Sequence, residues 1–147
     1  MVLGRAIAVF DHSTFHVFNR PGASITDSSV NGTASDYGFL IADSAIVTDG
    51  NPGSIYLGRP YPEAAGAQAQ VTVRNTALGA AINNAQPWKD WNATTPWTSG
   101  RFFEYQNSGP GSAIPDSATR PQLSDSDASR YTAQAYLTGS DGWNPTG

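Results

Sequence analysis

His12 and His16 stand four residues apart, the spacing at which two imidazoles on one helical turn could share a metal ion. Their segment, Ala8-Val9-Phe10-Asp11-His12-Ser13-Thr14-Phe15, alternates like a strand instead. That puts the rings on one side but too far apart for a clean chelate, and no third ligand is evident, so neither metal nor cofactor is expected. Asp11-His12-Ser13 spells a miniature nucleophile, base and orienting acid. Consecutive strand residues face opposite ways, however, and cannot relay a proton. Asp27, Asp36, Asp43 and Asp49 are the carboxylates that could serve acid–base chemistry, although turn formation accounts for each more simply. Positive groups are scarce: Lys89 is the single lysine among eight basic residues, so holding an anion falls to arginine. With no cysteine there is no disulfide and no thiolate metal site, which leaves the cellular compartment open.

The elements that must position these groups repeat. Three eight-residue phrases, starting at Ala8, Phe39 and Val71, read apolar, any, apolar, any, a small polar corner with Ser or Thr, then apolar again. The corner residues His12, Asp43 and Asn75 recur at offsets of 31 and 32. A fixed period of this size is the signature of a solenoid, and the alternating half of the phrase suits a strand. Stacked coils would bring Phe10, Ile41 and Val73 together inside, with polar corners aligned at one bend. The expected fold is therefore all-β, a short β-solenoid of three to four coils. Fifteen Gly, ten Pro, 14% charged and 39% apolar residues fit a turn-rich, strand-rich and ordered chain. Residues 1–147 are expected to form a single domain, with coils over 1–80 and loops plus an irregular aromatic C-terminal cap over 81–147. Ser124-Asp125-Ser126-Asp127 is expected to cap a short helix over 128–132, and Trp97 and Trp143 to pack into the cap. A net charge of −4 with no basic patch argues against a nucleic-acid partner, and no run is long and apolar enough for a membrane span. Asn31-Gly32-Thr33 and Asn92-Ala93-Thr94 match the glycosylation acceptor pattern.

From Ile55 onward the chain resembles the pectin methylesterases. Tyr56-Leu57-Gly58-Arg59-Pro60-Tyr61 is similar to that family's Leu-Gly-Arg-Pro-Trp signature. Phe103-Glu104-Tyr105-Gln106-Asn107-Ser108-Gly109-Pro110-Gly111 resembles its Glu-Tyr-x-Asn-x-Gly-Pro-Gly segment. Val73-Arg74-Asn75-Thr76, Pro87-Trp88-Lys89-Asp90-Trp91 and Gly142-Trp143-Asn144-Pro145 follow the same order. The resemblance implies a right-handed parallel β-helix from a secreted enzyme that removes methyl esters from polygalacturonate. From its first residues, Met1-Val2-Leu3-Gly4-Arg5, no export signal is expected within this sequence. The family's Asp-Phe-Ile-Phe-Gly motif, which carries its nucleophile, would end on Gly4, so its Asp falls before Met1. The Gln-Asp pair of an earlier coil is not present either. The chain is expected to correspond to the C-terminal portion of such an enzyme.

What the resemblance preserves is Arg59, as a catalytic-type residue that orients a carboxylate or pairs with a sugar acid; a plain ion pair is the alternative. Tyr61 replaces the signature's Trp and offers a smaller face to a sugar ring. Trp88 and Trp91 are candidate stacking platforms near the groove, with packing as the alternative. The expected activity is recognition of acidic polysaccharide (pectin or polygalacturonate), with impaired or no methylesterase turnover. The alternatives are hydrolysis of other esters by recruited groups, with Asp36 favoured as the surrogate carboxylate, or a partial product without selected activity. An uncovered first coil, apolar at Met1-Val2-Leu3, further predicts a homodimer through the N-terminal coil.

Overall fold

The computed structural model describes residues 1–30 and 37–146. The Asn31 acceptor and Asp36 lie outside the described residues. Among the described residues, ten strands run in repeated passes of three. The first pass is β1 (Val2–Gly4), β2 (Ala8–Asp11) and β3 (Thr14–Val17); the second is β4 (Ser24–Ser28), β5 (Phe39–Ala42) and β6 (Ala45–Thr48). The third is β7 (Tyr56–Pro60), β8 (Gln70–Arg74) and β9 (Ala77–Leu78), and β10 (Arg101–Tyr105) opens a fourth. Like strands pair in parallel, giving sheets β1-β4-β7, β2-β5-β8-β10 and β3-β6-β9. This is a parallel β-helix. Coils continue past residue 80: β10 pairs with β8 and Trp88 bridges to Gly58, so the expected boundary there gives way to a further coil.

The corners explain why the chain bends where it does. His12, Asp43 and Asn75 adopt left-handed φ values of 49°, 47° and 49°, and Gln106 repeats this at 49°. Short polar side chains tolerate this region best, because they can bond locally. The residue after each corner satisfies the backbone of the coil before it. Ser13 N donates to Ser44 Oγ at 3.0 Å, Ser44 N to Thr76 Oγ1 at 3.4 Å, and Thr76 N to Asn107 Oδ1 at 3.1 Å. A buried bend would otherwise strand those N–H groups.

In register, Phe10 opposes Ile41 and Ile41 opposes Val73, the expected apolar column. The column ends on Glu104, which opposes Val73 and is buried. Arg120, fully buried, neutralises it: Nε donates to Glu104 Oε1 at 2.9 Å and Nη2 to Oε2 at 2.6 Å. Arg120 Nη1 also donates to Asn84 Oδ1 and to the Gly111 and Ala113 carbonyls. A single guanidinium thus closes the C-terminal end of the column and the loops around it.

Helix α1 (Asp125–Ala128) begins three residues before the expected span, with Ser124 as the cap accepting from Asp127 N at 3.1 Å. A second helix, α2 (Ala133–Leu137), is capped by Thr132 and places Tyr136 over Leu40 and Ala42. Trp97 packs partly buried against the core, whereas Trp143 is 56% exposed. Tyr136 exchanges hydrogen bonds with the Gln70 amide (2.9 and 3.2 Å). Burial pushes its phenol above the ordinary value of 10. The unfolded chain therefore releases this proton more readily, so the stability contributed by the neutral phenol is complete below pH 10 and lost as pH rises above it. The stability advantage of the native chain over Tyr136→Phe is expected to shrink above pH 10, as read from urea midpoints across pH.

Candidate functional site

Arg59 sits inside β7, matched in register to Asp27 of β4. Matched residues of parallel strands project the same way, so the two side chains meet without a turn to bring them together. Arg59 Nε and Nη2 both donate to Asp27 Oδ2, at 3.0 and 2.8 Å. Asp27 is only 1% exposed, and its Oδ1 is buried with no hydrogen-bond partner among the described residues. It is therefore a strand residue with an ion pair, and turn formation does not account for it.

On its outer side the Arg59 guanidinium lies 4.3 Å from the Trp91 ring centroid, a cation–π contact. Trp91 in turn meets Tyr61 edge to face at 5.4 Å, and both rings are partly exposed. The Trp91 turn is built by its neighbours: Asn92 Oδ1 accepts from Thr94 N and Thr95 N, and Asp90 Oδ1 accepts from Trp97 N at 2.8 Å. The Asn92 acceptor pattern thus falls on this exposed turn. Arg59 also borders a largely apolar cavity of about 390 Å³ lined by Met1, Phe15, Val17, Phe18 and Ile25, with His16 and Arg20 on its wall as well.

Arg59, Tyr61 and Trp91 therefore come together, and Trp88 does not join them. Trp88 is fully buried, its ring 4.8 Å from that of Phe102, so it offers no face to a sugar. Gly58 makes the room: a Cβ there would lie 2.3 Å from Thr26 Oγ1 and 3.2 Å from Trp88 Cζ3. A glycine in mid-strand is the signal that could have separated the two tryptophans. Asp27 is the partner that the sequence left undistinguished among four aspartates.

The remaining candidates disperse. His16 pairs with Asp49 at 2.9 Å, and His12 with its neighbour Asp11 at 3.0 Å. Ser13 Oγ donates to the Asp11 carbonyl. Asp43 occupies its left-handed corner. Among the described residues, no three His, Cys, Asp or Glu side chains gather as a metal site would require.

A parallel β-helix with an arginine clamped to a carboxylate and laid on an aromatic pair defines a class of solenoid suited to contact with sugars. The particular family is shown by comparison. The Pectinesterase family profile matches residues 1–140, and the chain belongs to that family. It is 32% identical over 134 residues to a pectinesterase of Ralstonia nicotianae, covering 76% of this chain and 34% of that protein. A crystal structure of a pectin methylesterase in complex with a hexasaccharide superposes with a TM-score of 0.76 at 25% identity, over 97% of this chain and 47% of that one. The pectin methylesterase PemA from Erwinia chrysanthemi shares the fold at a TM-score of 0.77 and 24% identity, over 97% and 47% of the two chains. The chain thus spans between a third and a half of these relatives.

Proposed function

We propose that this chain recognises pectin-type acidic polysaccharide through Arg59, Tyr61 and Trp91, and that these 147 residues turn over its methyl esters poorly or not at all. The observation that carries the reading is the Arg59 guanidinium, fixed by Asp27 and laid on Trp91 beside Tyr61, in a chain of the Pectinesterase family. An aromatic plane takes the C–H face of a pyranose while a guanidinium takes its oxygens. Ester hydrolysis needs a nucleophile with access to the carbonyl carbon. The only carboxylate beside Arg59 among the described residues, Asp27, is too buried to attack one. A cell-wall polymer as ligand goes with an extracellular setting.

Methanol release from highly esterified pectin is expected to stay near the buffer rate and to be unchanged by Arg59→Ala. Robust turnover abolished by that substitution would overturn this reading.

The same reading includes a homodimer through the N-terminal coil. β1, β2 and β3 each terminate their sheets, leaving three unpaired strand edges among the described residues. Met1, Leu3, Ile7 and Phe18 are 77, 50, 46 and 66% exposed there. Such an edge favours pairing with a second copy, and a two-fold contact closes on itself. Light scattering is expected to report a dimer that Leu3→Lys dissociates; a monomer at high concentration contradicts it.

A further inference from the structure

We infer that Asp27 sets the charge selectivity of the Arg59–Trp91 site, cancelling the arginine charge so that a neutral methyl-esterified uronosyl unit is preferred to a free carboxylate. The inference rests on the recognition reading above. A bare guanidinium over an aromatic ring would attract a free uronate strongly and in a salt-dependent manner. Here Nε and Nη2 are both spent on one oxygen of Asp27, at 3.0 and 2.8 Å. Asp27 is 1% exposed, so water cannot replace it as the partner, whereas the Arg59 side chain is 27% exposed. An incoming carboxylate therefore meets a compensated dipole and feels Asp27 as well as Arg59. An ester carbonyl needs only a donor, and Nη1, which Asp27 does not engage, remains to supply it. The ester methyl adds apolar contact for the Trp91 and Tyr61 rings.

The surrounding segments carry charges of both signs. Glu63 and Asp90, two residues beyond Tyr61 and one before Trp91, are exposed and negative. Arg20 borders the same cavity as Arg59, and Lys89 donates to the Gly22 carbonyl at 3.0 Å and lies over the Tyr56 ring. Three cations, Arg20, Arg59 and Lys89, thus stand against three anions, Asp27, Glu63 and Asp90, a balance that loss of the Asp27 charge tips towards positive. Complementarity of this kind governs selectivity and salt dependence more than total affinity.

The test is binding of the 147-residue chain to polygalacturonate and to fully methyl-esterified polygalacturonan across a sodium chloride series. The native chain is expected to prefer the esterified polymer and to bind the free acid with little salt dependence. Asp27→Asn is isosteric and keeps an oxygen for Arg59. It is expected to tighten polygalacturonate binding about three- to tenfold with a steeper salt slope, so that the preference for the esterified polymer narrows or inverts. Arg59→Gln added to Asp27→Asn is expected to remove that gain. Equal weakening of both polymers by Asp27→Asn would assign Asp27 a structural role and overturn the inference, as would no change for polygalacturonate. If the folded native chain binds neither polymer, the recognition reading falls as well, an outcome distinct from the other two.

Discussion

Exchanging Arg120 for methionine is expected to destabilise the fold by about 3–5 kcal/mol, the range for removing one partner of a buried pair and leaving the other charged. Arg120 has no exposed surface and Glu104 is 1% exposed. Between them they close the column that starts at Phe10, and Arg120 also holds two loop carbonyls and Asn84. Methionine fills similar volume but donates nothing, so two carbonyls lose the Arg120 donor and the buried Glu104 carboxylate keeps only the bond from Asn107 Nδ2 at 3.2 Å, with no opposite charge. Against a typical total stability of about 5–15 kcal/mol, that is a large share. Urea denaturation measures it. Glu104→Gln combined with Arg120→Met is expected to recover part of the loss, because the uncompensated charge is gone while the orphaned carbonyls remain. A cost below about 1 kcal/mol would mean that the pair does not hold the C-terminal end closed.

The second large effect separates two tryptophans three residues apart. Trp91→Ala is expected to weaken polysaccharide binding by at least about tenfold, because it removes both the sugar-facing plane and the cation–π support of Arg59. Its thermal stability is expected to change little, since Trp91 lies partly exposed on a turn. Trp88→Ala is expected to do the reverse. Emptying a fully buried indole site beside Phe102 and Gly58 costs about 3–5 kcal/mol, with affinity per folded molecule preserved. Matched titrations and melting curves of the two variants check this. Equal affinity losses in both would mean that the aromatic pair is not the contact surface.

The coil path was legible because its signals are local and periodic. His12, Asp43 and Asn75 carry both the period and the left-handed backbone, and Ser13, Ser44 and Thr76 supply the hydroxyls their bends require. Gln106 escaped notice because glutamine is no turn former, although it stands 31 residues after Asn75 and touches it. Arg59 and Tyr61 lie within a recognisable signature, whereas the choice between Trp88 and Trp91 depends on register between coils. Composition and spacing do not report register; Gly58, opposite Trp88, was the available clue. Asp27 is hidden for the same reason, since its ion pair joins residues 32 apart on neighbouring strands. The buried Glu104–Arg120 pair reads from sequence as two ordinary surface charges, because burial of a pair is decided only when the last coil folds under its loops. Helix α2 is five residues long and is held by the packing of Tyr136 on the coil, with no helical periodicity to announce it.

Calorimetric titration of the folded chain against polygalacturonate, methyl-esterified pectin and a neutral glucan tests the central claim most directly. Saturable binding to the pectic polymers, absent with the glucan and lost in Arg59→Ala and Trp91→Ala, is the predicted result. Binding to none of the three, or equal binding to all three that survives both substitutions, would contradict a recognition site built on Arg59, Tyr61 and Trp91.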